Sequence, residues 1–228
     1  MAKVKLVVLD VAGTTAHDGG LVVKAFQMAM ADTQPSAEKF ASMTEYVIAT
    51  MGERKIDVFM HLCNEDEQVA FAAHERFVIS YTDLVAQGEL VEFDGVSGFF
   101  RELRRRGIGI GITTGFPRAI LDPIIYSLGW ATLIDLSVAA SEVDQGRPAP
   151  DMIFRALDIY NKAHGLDLHA DQLAVAGDTE SDMKAGVTAG AAIVLGVTSG
   201  AHSEIKLRAT GASDISSTVL SLLTLIDE

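Results

Sequence analysis

The chain has 228 residues, of which 49% are apolar and 21% are charged, and its formal net charge is −13. This length and apolar content allow a sizeable buried core, which excludes a disordered segment or a disulfide-stapled miniprotein. The acidic balance is the wrong sign for holding nucleic-acid phosphates, and the single cysteine excludes an internal disulfide. Because no signal-like pattern opens the sequence and no apolar stretch reaches the roughly 20 residues of a membrane span, we expect a cytoplasmic protein that binds neither nucleic acid nor membranes.

Short aliphatic runs predict buried strands at residues 5–10, 108–114, 133–139, 173–177 and 191–197. Helical periodicity lies between them, for example over residues 95–106 and 148–164, and a glycine follows each of these helices. Alternating strands and helices predict an α/β fold in which a doubly wound parallel sheet carries helices on both faces. A Ser/Thr-rich segment over residues 213–224 predicts a C-terminal helix.

The stretch from residue 21 to residue 88 breaks this alternation, because its apolar residues recur at helical spacing and no buried strand is visible. We therefore predict an α-helical cap domain over residues 19–90, inserted into a core domain formed by residues 1–18 and 91–228. The aromatic residues Phe71, Phe77 and Tyr81 are predicted to pack inside the cap. A homodimer formed through this face of the cap is left open.

Polar residues follow the predicted strands at the sheet edge where ligands bind in doubly wound folds. They are Asp10 after the first strand, Thr114 and Gly115 after the second, Arg147 in a proline-flanked turn, and Asp178 and Asp182 after the fourth. Carboxylates from separate strand ends favour a hard cation such as Mg²⁺. A guanidinium, a hydroxyl and backbone N–H groups nearby would hold phosphate oxygens.

In this order the motifs resemble those of the haloacid dehalogenase superfamily of hydrolases, which has a Rossmann-like core. The motifs are Asp10-Val11-Ala12-Gly13-Thr14-Thr15, Thr114-Gly115, Arg147 and Gly177-Asp178-x-x-x-Asp182. The resemblance implies that Asp10 is the nucleophile and forms an aspartyl-phosphate, with Thr114 and Arg147 as further catalytic residues. It implies that Mg²⁺ is bound by Asp10, the Ala12 carbonyl oxygen and Asp178, supported by Thr179 and Asp182. Substrate phosphate would be bound by Ala12, Gly13, Thr114, Gly115, Arg147 and Lys55.

Ala12 is the informative position in the first motif. Phosphatases of this superfamily generally place a second aspartate there, because an alkoxide leaves poorly until an acid protonates it. Dehalogenases also lack this aspartate, but they need no metal. The remaining branch that resembles this motif is phosphonoacetaldehyde hydrolase, or phosphonatase, which cleaves a carbon–phosphorus bond. Its leaving group is a carbanion, so the enzyme needs an electron sink, and a lysine iminium formed with the substrate aldehyde is such a sink.

The cap contains a segment, Met51-Gly52-Glu53-Arg54-Lys55-Ile56-Asp57, that resembles the phosphonatase segment carrying the Schiff-base lysine. The resemblance maps that lysine onto Lys55. Desolvation beneath a closed cap, or the neighbouring Arg54 cation, would favour the neutral amine that this chemistry requires. Schiff-base formation and simple substrate binding both remain open for Lys55.

Three positions depart from the phosphonatase pattern. The family's histidine after the lysine aligns with Val58, its cysteine after the first motif with Gly20, and its tyrosine after the second motif with Phe116. The departures suit a phosphonatase-like relative with a different substrate. His17 or His61 is the replacement we consider for the missing proton carrier.

The resulting expectation is a Mg²⁺-dependent hydrolase of a small phosphonate resembling phosphonoacetaldehyde. One alternative is a phosphatase of the same superfamily that acts on a small phosphomonoester. A second alternative is a catalytically weak phosphate-binding protein on the same fold.

Overall fold

The computed structural model describes residues 3–33 and 35–227. The strands are β1 (Leu6–Asp10), β2 (Ala16–His17), β3 (Val91–Glu92), β4 (Gly109–Thr114), β5 (Leu136–Ala139), β6 (Leu173–Gly177), β7 (Ile193–Val197) and β8 (Asp214–Ser216). The α-helices are α1 (Leu21–Met30), α2 (Ala37–Ala49), α3 (Lys55–Leu62), α4 (Glu67–Ala86), α5 (Val96–Arg105), α6 (Arg118–Ser127), α7 (Asp151–His164), α8 (Glu180–Ala189), α9 (Glu204–Ala209) and α10 (Leu222–Leu225).

A parallel sheet forms the centre of the molecule, with the strand order β5-β4-β1-β6-β7-β8. The strand β1 therefore lies between β4 and β6, where the chain changes the direction in which it adds strands. Such a switch point opens a crevice at the carboxyl ends of the strands. The ends of β1, β4 and β6 consequently meet around one point, which confirms the predicted α/β fold class.

The sheet is covered on both faces, as the continuous aliphatic strands predict. Along β1, Val7 and Leu9 point into the larger core cluster, and Leu6 and Val8 point into a second cluster on the opposite face. The larger cluster extends without a break from the sheet into the helices α1, α3 and α4. The insertion and the sheet are thus packed against each other by apolar side chains.

The helices α1 to α4, here called the insert helices, lie between β2 and β3 in the chain. These two strands pair antiparallel and form a ribbon at the base of the insertion. Phe77 and Tyr81 on α4 are buried and contact Phe116 on the core side, whereas Phe71 is 53% exposed. No helix in the described ranges combines the length and the apolar content that crossing a membrane requires.

The C-terminal region differs from the helix predicted over residues 213–224. Its first part is the edge strand β8, which pairs with β7, and only Leu222–Leu225 forms an α-helix. Ser213 stabilises the start of the strand, because its Oγ accepts a hydrogen bond from the backbone N of Val194 at 3.0 Å. Pairing with an open sheet edge overrides the local sequence preference here.

Candidate active site

Two carboxylates meet at the switch point of the sheet. Asp10 is the last residue of β1, and Asp178 directly follows β6. Asp178 Oδ1 accepts a hydrogen bond from Thr14 Oγ1 at 3.2 Å, and Oδ2 accepts one from the backbone N of Ala201 at 2.6 Å. Burial, and then the charge of Asp10, raises the pKa of Asp178 to about 7. The two buried carboxylates therefore repel each other, and a cation bound between them would relieve this repulsion.

Arg147 connects Asp10 to a third carboxylate. Its side chain is 3% exposed, Nη2 lies 2.8 Å from Asp10 Oδ1, and Nη1 contacts Asp182 Oδ1. Asp182 Oδ2 accepts hydrogen bonds from Thr179 N at 3.1 Å and from Thr179 Oγ1 at 2.5 Å, at the start of α8. Nε of Arg147 is buried and donates no hydrogen bond to the part of the chain that the structure describes. This N–H remains available as a donor to an anion, whereas Nη2 already faces the Asp10 carboxylate.

The loop between α2 and α3 lies directly on the strand ends. The backbone N of Lys55 donates to the carbonyl oxygen of Gly115 at 3.2 Å. A Cβ on Gly115 would collide with the carbonyl oxygen of Glu53, and a Cβ on Gly52 would lie 2.5 Å from Thr179 Oγ1. Glycine at these two positions thus allows the insert helices to close onto the sheet.

Lys55 is the first residue of α3 and is only 5% exposed. Its Nζ donates to the carbonyl oxygen of Glu53 at 3.1 Å and lies 5.8 Å from the centre of the Phe116 ring. Burial, and then the nearby Arg147 cation, lowers the pKa of Lys55 to about 8. At that pKa about a tenth of the amines are neutral at pH 7.

The cation that acts on Lys55 is not the one expected from the sequence. Arg54 directs Nη1 to the carbonyl oxygen of Asp144 at 3.1 Å, and its Cβ packs against Gly146. Burial, the other expected cause, has the larger effect on the pKa of Lys55. The proposed contribution of Arg54 is replaced by that of Arg147, which approaches from the core.

A cavity of about 410 Å³ separates the strand ends from the insert helices. The predicted site residues on the core side of its wall are Asp10, Ala12, Gly13, Thr114, Gly115 and Asp178. Thr179 completes that side, and Lys55 lies on the side of the insert helices. Arg147 and Asp182 do not line the cavity, although Arg147 reaches Asp10. The fold therefore brings the nucleophile candidate and the lysine to one enclosed space.

Asp18 is a cavity residue that the sequence analysis did not single out. Its Oδ2 accepts hydrogen bonds from the backbone N of Gly20 at 3.1 Å and of Val22 at 3.5 Å, and its Oδ1 accepts one from Tyr81 OH at 3.2 Å. Burial raises the pKa of Asp18, and these hydrogen bonds oppose that shift. The available sequence signal was its place just before the glycine pair at the base of the insertion.

The two histidines considered as proton carriers lie in different places. His17 lines the cavity, but its Nδ1 accepts the backbone N–H of Gly19 at 3.0 Å and its ring lies 5.3 Å from that of Phe93. His61 stacks on Tyr46 with ring centres 4.3 Å apart, outside the cavity wall. Only His17 of this pair therefore reaches the cavity.

The donor set at the strand ends fits a hard divalent cation. Asp10 and Asp178 are both buried and repel each other, and Ala12 lines the same cavity. Within residues 3–33 and 35–227, no group of three or more His, Cys, Asp and Glu side chains is arranged to hold a metal ion. Mg²⁺ usually takes one or two carboxylates and completes its shell with water and substrate phosphate. A soft metal that needs several nitrogen or sulfur ligands does not fit this site.

A doubly wound fold with a buried carboxylate, a second carboxylate and an arginine at its switch point defines a hydrolase of the haloacid dehalogenase class. The sequence profile described as haloacid dehalogenase-like hydrolase matches residues 4–190. The chain belongs to this family.

Three proteins illustrate what the chain is similar to. A bifunctional phosphonoacetaldehyde hydrolase/aminoethylphosphonate transaminase from Clostridioides difficile is 30% identical over 211 residues, which cover 82% of this chain and 30% of that protein. A plasmid-encoded phosphoglycolate phosphatase from Cupriavidus necator is 26% identical, over 83% of this chain and 79% of its own length. The crystal structure of a phosphonoacetaldehyde hydrolase-like protein from Oleispira antarctica has a TM-score of 0.82 at 21% identity, over 99% of this chain and 92% of that one.

Proposed function

We propose that this hydrolase cleaves the carbon–phosphorus bond of a small phosphonate aldehyde of the phosphonoacetaldehyde type. The observation that carries the proposal is the burial of Lys55, with a pKa lowered to about 8, on the wall of the cavity that also contains Asp10. A desolvated lysine with a lowered pKa can form an imine with a carbonyl substrate. The similarity to the phosphonoacetaldehyde hydrolase of Clostridioides difficile supports the substrate class.

The residues supply a complete sequence of bond changes. Neutral Lys55 condenses with the aldehyde and releases one water, which leaves an iminium ion. The Asp10 carboxylate attacks phosphorus, the carbon–phosphorus bond breaks, and its electron pair moves into the iminium to form an enamine. Protonation of the enamine carbon and hydrolysis of the imine release the shortened aldehyde, and a water hydrolyses the aspartyl-phosphate to free phosphate.

The remaining site residues bind the phosphoryl group in this proposal. Arg147 offers its Nε beside the Asp10 carboxylate, and Thr114 and the backbone of Gly115 lie at the end of β4. Mg²⁺ held by Asp10, the Ala12 carbonyl oxygen and Asp178 would neutralise phosphoryl charge beside the nucleophile. Thr179 and Asp182 hold Arg147 in position. Residues 19–90 are proposed to act as the cap that encloses this space.

A phosphomonoesterase is the second candidate, and the similarity to a phosphoglycolate phosphatase favours it. Its alkoxide leaving group needs a proton, and Ala12 cannot supply one. A phosphate-binding protein without activity would need neither Asp10 as a nucleophile nor a buried lysine. Carbon–phosphorus cleavage uses both residues and needs no acid at residue 12.

One experiment separates the three functions. The protein is incubated with Mg²⁺ and phosphonoacetaldehyde in the presence and absence of borohydride, and both phosphate release and intact mass are measured. We expect phosphate release without borohydride, and with borohydride a reduced two-carbon adduct that peptide mapping places on Lys55. Lys55→Arg keeps the cation but cannot form the imine, so it should lose both signals.

Other outcomes would overturn the proposal. Turnover of phosphomonoesters that survives Lys55→Arg, without an adduct on the wild-type protein, would establish the phosphatase instead. Phosphate binding without turnover of either substrate class, unchanged in Asp10→Asn, would establish the binding protein.

A further inference from the structure

Imine formation needs a group that moves protons between the amine and the carbonyl oxygen. The position aligned with the family's histidine is Val58, which is buried and has no group that can donate or accept a proton. Asp18 and Lys55 line the same cavity, and the charge of each acts on the pKa of the other. We propose that Asp18 is the acid–base group for the imine chemistry of Lys55. This inference rests on the proposed function.

The proton balance closes over one turnover. When the neutral amine of Lys55 adds to the aldehyde, Asp18 relays the amine proton to the carbonyl oxygen and a carbinolamine forms. Protonated Asp18 then donates its proton to the carbinolamine hydroxyl, which leaves as water, and the product is an iminium beside a carboxylate. After the carbon–phosphorus bond has broken, water protonates the enamine carbon, and the hydroxide that remains is neutralised by the proton released when water hydrolyses the aspartyl-phosphate. The Asp18 carboxylate takes a proton from the water that attacks the new iminium, and the resulting carbinolamine releases the aldehyde as its hydroxyl proton passes to the amine. Lys55 and protonated Asp18 are restored.

The position of the Asp18 carboxylate is fixed by its neighbours. It belongs to the segment between β2 and α1, and it is held by the backbone N–H groups that begin α1 and by Tyr81 on α4. Burial favours its neutral acid, whereas the hydrogen bonds and the Lys55 cation favour its carboxylate. The raised pKa makes this carboxyl a better proton acceptor than an ordinary aspartate and brings it closer to the pH at which an acid–base group works.

The other titratable groups around this part of the cavity are less suited to the task. Burial and the charge of Asp18 raise the pKa of Tyr81, so its hydroxyl keeps its proton. His17 accepts the Gly19 N–H through Nδ1 and has its ring beside Phe93. Asp10 is the proposed nucleophile. Asp18 is therefore the group that we assign to proton transfer at Lys55.

The test uses the full chain with Asp18→Asn, Tyr81→Phe and the control Asp83→Asn, which removes an exposed carboxylate from the same helix as Tyr81. The rate at which phosphonoacetaldehyde forms the borohydride-trapped adduct on Lys55 is measured as a function of pH. Unfolding midpoints show whether each variant is folded. In the wild type the reaction requires protonated Asp18 and neutral Lys55, which gives a bell-shaped profile whose acidic limb follows Asp18 and whose basic limb follows Lys55.

We expect Asp18→Asn to form the adduct about 100-fold more slowly, within the range for loss of an acid–base group. We also expect it to lose the basic limb, because its rate then follows the neutral fraction of Lys55 alone, which rises with pH and then stays level. Tyr81→Phe removes a donor that stabilises the Asp18 carboxylate, so the pKa of Asp18 rises. The acidic limb then moves to higher pH, and the plateau rate increases because more of the Asp18 is protonated at any given pH. A merely structural defect would lower the plateau rate. Asp83→Asn should match the wild type.

Two outcomes would overturn the assignment, and they differ in what else they overturn. If the wild type forms the adduct and Asp18→Asn forms it at the same rate with the same profile, Asp18 is not the acid–base group and the proposed function stands. If the wild type forms no adduct, the proposed function fails and the assignment fails with it. A slower Tyr81→Phe with an unmoved acidic limb would reduce Asp18 to a structural residue of the insertion.

Discussion

The two walls of the cavity arrange their charges differently. On the core side the carboxylates are tied into a network, because Arg147 contacts both Asp10 and Asp182. On the insert side, within the residues that the structure describes, the Lys55 amine donates one hydrogen bond, to a backbone carbonyl, and lies near the Phe116 ring. The core wall therefore pairs Asp10 with a cation, whereas the insert wall carries a buried lysine whose charge is opposed by burial.

This difference separates two tasks. The ion pair with Arg147 fixes Asp10 in position, which suits attack on phosphorus whatever group is attached to it. An unpaired buried lysine has a lowered pKa and can react with a carbonyl, which suits only certain substrates. In the proposed function, the sheet edge carries the phosphoryl chemistry, and the insert helices select the leaving group.

The largest expected effect tests the core wall. Asp10→Asn replaces the nucleophile by an amide of the same shape, so we expect phosphate release to fall at least about 10⁴-fold with every substrate. Rates of phosphate release and mass spectrometry of the acid-quenched protein check this, since the variant should also lack a phosphorylated peptide containing residue 10. Asp83→Asn serves as the control for loss of one negative charge. A residual rate above one hundredth of the wild-type rate would contradict the assigned role of Asp10.

The next effect tests whether the core network is held together by Arg147. Arg147→Met leaves the buried carboxylates of Asp10 and Asp182 without their cation, which should lower the free energy of unfolding by about 3–5 kcal/mol. Urea unfolding monitored by circular dichroism measures the change. Arg105→Met is the matched control, because that arginine is 73% exposed and pairs with Glu102 on the surface, where such a pair contributes less than about 1 kcal/mol. Equal losses in the two variants would mean that the network does not stabilise the core.

The core wall was also the part of the site that the sequence predicted best. Asp10 and Thr114 end buried strands and Asp178 follows one, and the strand pattern alone places strand ends at one edge of a sheet. The pattern did not reveal that Asp18 faces the cavity, because its position depends on the hydrogen bond to Tyr81, which is 63 residues away in the chain.

Dependence on contacts between distant parts of the chain also explains the other differences from prediction. The cation near Lys55 was sought in the adjacent Arg54, but the packing of the insert helices brings Arg147 there instead. The strand β8 was predicted as a helix because its formation depends on the free edge of β7. Contacts within one element are visible in the sequence, whereas contacts between the insertion and the core depend on tertiary packing.

A smaller effect, of opposite sign to that of Arg147→Met, tests the insert wall. The folded protein holds Lys55 at a pKa of about 8 instead of the usual 10.5, so the charged amine destabilises it. Lys55→Met should therefore raise the free energy of unfolding at pH 7 by roughly 3 kcal/mol while abolishing adduct formation.

The pH dependence of the free energy of unfolding follows from the lowered pKa of Lys55 in the folded protein. Between pH 8 and 10.5 the unfolded chain binds more protons at residue 55 than the folded chain does, so wild-type stability rises with pH in this window. The advantage of Lys55→Met is then largest below pH 8 and shrinks toward pH 10.5. Lys39→Met removes an exposed lysine from α2 and controls for the general effect of the substitution. An advantage that does not change with pH would show that it comes from apolar packing.

The smallest expected effect concerns the contact between the two walls. In Gly115→Ala the new Cβ would collide with the carbonyl oxygen of Glu53, which belongs to the loop that places Lys55. The loop must move away from the strand ends, so we expect KM to rise about tenfold, equivalent to about 1.4 kcal/mol of closure energy, with little change in global stability. Gly98→Ala is the control, because a Cβ at this position on α5 meets no atom within 4 Å. Steady-state kinetics of both variants decide the matter: an unchanged KM in Gly115→Ala would mean that the two walls need not touch for the substrate to bind.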